Sequence, residues 1–383
     1  MHSPPLFDSF FLGGFECSTH RRHDGRRLDL IEATGHDRHA AGDYALMAAQ
    51  GIRSVRDGVR WHRIETAPGR YDWSSLLPML RAARDAGLQI VWDLCHYGWP
   101  DGIDIWRPAF VERFARFAAA VAALVRDEGG APPFYCPVNE ISYWSWAGGD
   151  MARFNPTARG RGFELKHQLV RASIAAIDAI RAADPRARIV LVDPVINVLP
   201  RPDRPRSAAA AEHARLAQFE AWDMIGGSVW PGLGGKPEYL DIIGVNYYAD
   251  NQWFLNGGTL EWTDPRYRPF ADILAETHRR YGRPLLVAET GAEGDARVPW
   301  LDYVCGQVRT ALDRGVPVEG ICLYPILDYP GWVNDRHCEA GLYGPCDDRG
   351  ERPLHQPFAD ALRRQRVRFE AGTERFAAGR AVS

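Results

Sequence analysis

Residues 133–140, PFYCPVNE, and residues 283–290, RPLLVAET, are two short apolar runs that each deliver a carboxylate at the far end. Glu140 and Glu289 stand 149 positions apart. Length, aromatic and β-branched content and the closing acid all read as buried strands whose last residue emerges at a sheet edge. Strand ends so distant in sequence meet at one place when a sheet closes on itself, as in a parallel barrel that gathers its strand ends at one mouth.

Closure requires more strands, alternating with helices, and the chain supplies them. Strand-like runs occupy 11–15, 54–59, 89–95, 134–139, 188–193, 240–248, 285–289 and 320–325. These eight recur roughly every 35–55 residues, the interval of βα units with some long loops. Between them, LLPMLRAARDAG (76–87), FVERFARFAAAVAALVRD (110–127) and HQLVRASIAAIDAIRAADP (167–185) carry apolar residues at three- and four-residue spacing. Gly51 and Gly87 follow such runs as left-handed caps would. Continuous apolar stretches such as IVLV and IIGV imply strands covered on both faces, hence a parallel sheet under helices. The expectation is an α/β chain, a (β/α)8 TIM barrel forming one domain over 1–383. Its core spans about 10–365, a tail at 366–383 extends the last helix or frays, and 200–211 forms a loop or flexible segment.

Composition narrows the function. Apolar residues make up 46% and charged residues 25%, as in ordinary globular proteins. A net charge of −3 gives no electrostatic footprint for nucleic acid. Lys166 and Lys236 are the only lysines, and neither ends a strand, which disfavours Schiff-base chemistry. The seven cysteines are scattered and odd in number, so small buried thiols are expected rather than a disulfide framework, with a local Cys338–Cys346 bridge left open. No signal-like N-terminus and no apolar run of 18 residues is present, so a cytoplasmic protein without membrane contact is expected. His20, His23, His36 and His39 are interleaved with Arg and Asp and lack metal-ligand spacing. No glycine-rich dinucleotide motif follows a strand, and neither metal nor cofactor is expected. Nothing in the sequence fixes an oligomeric state.

The chemistry is expected at the two acids. Glu140 precedes an aromatic segment, Tyr143-Trp144-Ser145-Trp146, and poorly hydrated walls raise a carboxyl pKa, as a general acid near neutral pH requires. A plain surface acid is the competing reading. For Glu289 the competing reading is a buried acid paired with arginine, which also suits a nucleophile that must stay ionised. Arg56, on the second strand, is the candidate partner, unless it bridges to a helix instead. Asn246 and Tyr248 fall two apart on one strand and so share a face, placing Tyr248 near the nucleophile and Asn246 near a substrate hydroxyl. Asn139 and His96 are candidate sugar-hydroxyl donors, and Trp332 is a candidate sugar platform. One acid to protonate a leaving oxygen and another to attack carbon is the apparatus of a retaining glycosidase.

Taken together these segments resemble glycoside hydrolase family 1, over roughly residues 11–343. RWHRIETAPGRYDW (60–73), LCHYGWP (94–100), VNEIS (138–142), LDIIGVNYY (240–248), LVAETG (286–291) and LYPILDYPGW (323–332) occur in the family's order. The resemblance implies a β-glucosidase-like retaining barrel acting on a glycoside by double displacement, with Glu140 as acid/base and Glu289 as nucleophile. Departures stand beside it. Ile141 replaces a Pro, Thr290 an Asn, Tyr324 a Trp, and Gly331 the family's sugar-gripping Glu. The first strand lacks the usual sugar-binding Gln, for which Glu16 or His20 could substitute. Altered glycone recognition is therefore expected, for a deoxy sugar or a uronic sugar read by arginine. The rival readings are another retaining hydrolase of the clan, a transglycosidase, or a non-catalytic sugar-binding barrel.

Overall fold

The structure is a computed structural model that describes residues 5–380, with side chains described through residue 370. Eight parallel strands close into a barrel: β1 (Phe11–Gly14), β2 (Ser54–Gly58), β3 (Gln89–Asp93), β4 (Phe134–Cys136), β5 (Arg188–Pro194), β6 (Ile242–Asn246), β7 (Leu285–Thr290) and β8 (Val318–Leu323). Each pairs with its predecessor, and β8 returns to β1 through Phe11 opposite Ile321. All eight expected strands are present in place.

After each strand in turn comes a helix: α1 (His36–Ala49), α2 (Leu77–Asp85), α3 (Pro108–Glu128), α4 (Gly162–Ala183), α5 (Glu220–Ile225), α6 (Phe270–Tyr281), α7 (Arg297–Asp313) and α8 (Gln356–Arg380). Gly51 and Gly87 adopt φ of 71° and 64° just past α1 and α2, the left-handed conformation expected of their positions.

Strand alternation builds two cores. Leu12, Val91, Phe134, Val190, Val192, Ile242, Leu286, Ala288 and Cys322 fill the barrel interior, while the opposite strand faces pack under the helices. On β7 this alternation alone would turn Glu289 away from the interior, because Leu286 and Ala288 point inward. The pairing registers of β7 with β6 and β8 both shift beyond Val287. This irregularity re-aims the chain, so that Glu289 joins Ala288 on the mouth side and Thr290 accepts the Trp300 indole N–H at 2.9 Å.

Two expectations need correction. Phe369 stacks on Phe10 with ring centroids 4.4 Å apart, so α8 carries the core past residue 365. The alanine-rich end of segment 200–211 opens a helix over Ala208–Leu216 rather than remaining loop, since alanines propagate a helix once Pro205 has started a turn. The end of the expected tail, 381–383, lies outside the described residues. All seven cysteines are free, and the Cys338 and Cys346 thiols face different carbonyls, those of Arg336 and Thr34. Among the described residues no helix is long and apolar enough to cross a membrane.

Candidate active site

At the C-terminal mouth of the barrel a cavity of about 670 Å³ is lined by Glu140, Glu289, Glu16, His96, Tyr97, Tyr143, Tyr248, Tyr324 and Trp332, among others. A second hollow of about 630 Å³ lies between α6 and the turn into β8, and there Arg268 and Arg314 are paired with Glu276 and Asp272.

Beneath the main cavity Arg56 is wholly buried and spends all five donors. Nε and Nη2 reach Asp93 at 3.3 and 2.7 Å; Nη2 also reaches Asn139 Oδ1 at 2.7 Å. Nη1 reaches Glu289 Oε1 at 2.7 Å and the Ala288 carbonyl at 3.1 Å. Burial alone would raise the Asp93 carboxyl, but Arg56 and His96 outweigh it and hold it at about 2. The second oxygen of Glu289 accepts the Tyr248 hydroxyl at 2.9 Å. Each Glu289 oxygen thus accepts a hydrogen bond, one from a guanidinium and one from a phenol.

Glu140 has the opposite surroundings. It begins the helix Ile141–Trp144 with φ 48° and ψ 60°, which swings its side chain off the end of β4 into the cavity. Asn246 Nδ2 donates to Oε1 at 2.9 Å and the Tyr97 hydroxyl donates to Oε2, but no cation is bonded to it. Burial first and the Glu289 charge second push its carboxyl up to about 8. Asp193, at the end of β5, accepts Ser142 N–H and Oγ–H at 3.0 and 2.7 Å, and burial pushes it up to about 7. The two catalytic candidates thus have different surroundings: Glu289 has guanidinium and phenol donors on its two oxygens, whereas Glu140 is desolvated beside a neighbouring negative charge.

Of the residues expected at the site, Glu140, Glu289, His96, Tyr248 and Trp332 line the cavity, whereas Arg56, Asn139 and Asn246 lie fully buried behind it. Arg56 and Tyr248 both hydrogen-bond Glu289. Asn246 donates to Glu140, and the Asn139 amide donates to His96 Nε2 and the Tyr97 oxygen, both at 3.0 Å. With Nδ1 on Asp93 at 3.0 Å, both ring nitrogens of His96 are occupied, so it too positions its neighbours. Trp332 forms part of the wall, its ring 5.5 Å from Tyr97 and 4.9 Å from His20.

Gly331 lies in the cavity wall, and Glu16 from the end of β1 faces the same space. Burial raises the Glu16 carboxyl despite the Ser18 N–H at 3.1 Å. His20 instead turns to Ser18 Oγ at 2.7 Å. Tyr324 occupies the position of the expected Trp and lies so close to β1 that a Cβ at Gly14 would come within 2.2 Å of its ring. A uronic sugar would need a free arginine, yet Arg56 is saturated and Arg336, at the rim, is paired with Glu293 at 2.6 Å. Cys17, Asp93 and His96 come close enough together for one cation, but Arg56 already occupies Asp93 with two hydrogen bonds, and burial raises the Cys17 thiol well above its usual range. Tyr97, Asp93, Asp193 and Glu16 were not singled out as catalytic from the sequence. Asp93 had a legible signal, closing an apolar strand in the same alternation as Val91; Tyr97 follows a strand in a loop and had none.

No protein-family model and no curated protein matches the chain. Solved structures do. A β-glucosidase from Thermotoga maritima in complex with glucoimidazole aligns with TM-score 0.78 at 17% identity over 94% of this chain and 98% of its own. The AHE enzyme from Alicyclobacillus herbarius aligns with TM-score 0.76 at 18% identity, over 95% and 100%. The family 1 β-glucosidase from Thermotoga maritima gives 0.76 at 16%, over 94% and 98%. The chain has the fold of the family 1 glycosidase barrels.

Proposed function

We propose that this chain is a retaining β-glycosidase in which Glu289 attacks the anomeric carbon and Glu140 serves as acid and then base. The observation that carries the reading is the pairing within one cavity. Glu289 has Arg56 and Tyr248 on its two oxygens, while Glu140 is desolvated and pushed up to about 8, ready to hold a proton near neutrality. In the first step the Glu140 O–H bond breaks and its proton goes to the leaving oxygen. The glycosidic C–O bond breaks as a Glu289 oxygen bonds to carbon. In the second step water gives a proton to Glu140, its oxygen attacks the same carbon, and the ester to Glu289 breaks.

Glycone binding falls to the cavity-facing groups Glu16, Tyr324 and Trp332. With Gly331 offering no side chain, Glu16 is a buried carboxyl that faces the cavity and can bond sugar hydroxyls. The predominantly acidic lining suits a neutral glycone such as a deoxy sugar better than a uronic one. A panel of aryl β-glycosides, run with wild type and Glu289→Gln, tests the reading. Release of phenol by wild type and its loss in a folded variant support it. Equal release by both would place the chemistry elsewhere.

A further inference from the structure

We propose that Tyr97 is a positioning residue for the acid/base, whose hydroxyl bonds directly to the Glu140 carboxyl, fixes its orientation and supports its ionised form when it must accept a proton from water. The proposal rests on Glu140 being the acid/base.

The direction of this hydrogen bond is dictated by a chain of donors that starts at an arginine. Arg56 has only protons to give, so the Asn139 atom 2.7 Å from Nη2 must be the amide oxygen. Its NH₂ end therefore faces His96 Nε2 and the Tyr97 oxygen, each 3.0 Å away. Because the Tyr97 oxygen already accepts there, its own proton is directed to the remaining partner, Glu140 Oε2. Through Arg56 Nη1 the same chain ends on Glu289 at 2.7 Å. Glu289 and Glu140 are thus joined through three side chains whose donors all run outward from the guanidinium.

The backbone and packing hold Tyr97 to this task. Its φ of 66° is left-handed, rare for an aromatic residue, and the ring is fixed edge-on against His96, Trp144 and Trp332 at 4.8, 5.6 and 5.5 Å. The ring nevertheless borders the cavity.

Glu140 must release a proton in one step and take one in the next. The groups facing it are Glu289 from β7, Asp193 from β5, Asn246 and Tyr248 from the β6 end, and Tyr143 on its own helix. Esterification of Glu289 removes the nearest negative charge and lowers the Glu140 pKa. A donated O–H lowers it further, so the carboxylate is available to take the water proton. Tyr97 keeps its own proton throughout.

The test is the pH dependence of kcat/KM for a poor-leaving-group β-glycoside, whose alkaline limb reports the free-enzyme acid. In Tyr97→Phe that limb should move up by about one pH unit, since a hydrogen bond to a charged group is lost. Replacement of Tyr97 by 3-fluorotyrosine, a stronger donor of the same shape, should move it down. The fluorinated form carries the test alone if the phenylalanine variant fails to fold. A limb that stays fixed in both, or moves the opposite way, overturns the proposal. Glu140→Ala run alongside separates the two levels. Wild-type activity there would overturn the acid/base assignment and this proposal together; its loss, with Tyr97 variants like wild type, would overturn only the role of Tyr97.

Discussion

Arg56 and Asp57 are adjacent on β2, both fully buried, and each is the hub of a charged network on its own side of the barrel wall. Inside, Arg56 gathers Asp93, Asn139 and Glu289. Outside, Asp57 accepts from His36 Nε2 at 2.8 Å and the Tyr44 hydroxyl at 2.6 Å. His36 Nδ1 reaches Asp43 at 2.7 Å, and Arg352 closes the set on Asp43 at 3.0 Å, tying α1 and β2 to the segment before α8. Both networks shift proton affinities strongly. Burial would lower His36, but Asp57 and Asp43 outweigh it and raise it to about 9, a displacement comparable to that of Glu140. A shifted titration therefore does not by itself mark a catalytic group. What differs is access: the outer network closes on itself, and the inner one ends on two carboxyls that line the mouth cavity.

If that distinction holds, removing Glu289 should abolish function and leave the fold intact. Glu289→Gln should lower kcat by roughly 10³-fold or more, with unchanged circular dichroism. A variant that keeps more than a few per cent of activity would move the nucleophile elsewhere.

Next in size, Glu140→Ala should cost roughly 10²- to 10⁴-fold with poor leaving groups and far less with acidic ones, which leave without a proton. Azide should restore the rate and yield a β-glycosyl azide, because it enters the vacated space and needs no base. Equal losses across a leaving-group series would break the assignment.

The outer network should respond in stability alone. His36→Leu leaves Asp43 and Asp57 short of a buried cation and should destabilise the fold by about 3–5 kcal/mol in urea, with kcat/KM of the folded enzyme unchanged. Because the folded His36 is raised to about 9 from an ordinary 6.5, its contribution is complete below about pH 6.5 and disappears as pH rises through about 9. Wild type should lose more stability across that window than the variant, which keeps only the loss due to other groups such as Glu140. A parallel loss in both would exclude His36 as the titrating group.

The smallest effect has the opposite sign. Glu140 is also raised, so its burial is tolerated while protonated and becomes a liability as pH climbs from about 4.5 through 8. Glu140→Gln should raise Tm by a few degrees at pH 8.5 and by little at pH 5, checked by calorimetry. Stabilisation equal at both values would mean that ionisation is not the cause.

The barrel was legible because it rests on periodicity. IVLV and IIGV declare strands covered on both faces, and the runs before Gly51 and Gly87 declare helices that end there. Glu140 and Glu289 were legible as acids closing such runs. What alternation could not supply was the local departure from it. The register shift on β7 turns Glu289 into the mouth, and the left-handed turns at Tyr97 and Glu140 bring a hydroxyl to a carboxyl from a different loop. Asn139, His96 and Asn246 looked like sugar ligands because each ends a strand at the mouth. Asn139 and His96 bond one another and the buried charges, and the Asn246 amide N–H bonds Glu140, a matter of side-chain pairing between strands distant in sequence.

The central claim, two displacements at one carbon, is tested most directly by the anomer first released. Proton NMR should follow hydrolysis of the best aryl β-glycoside from the first seconds, before mutarotation. The account predicts that the β-anomer appears first and the α-anomer grows in only as mutarotation proceeds. Initial release of the α-anomer would mean a single displacement by water, and would contradict Glu289 as nucleophile.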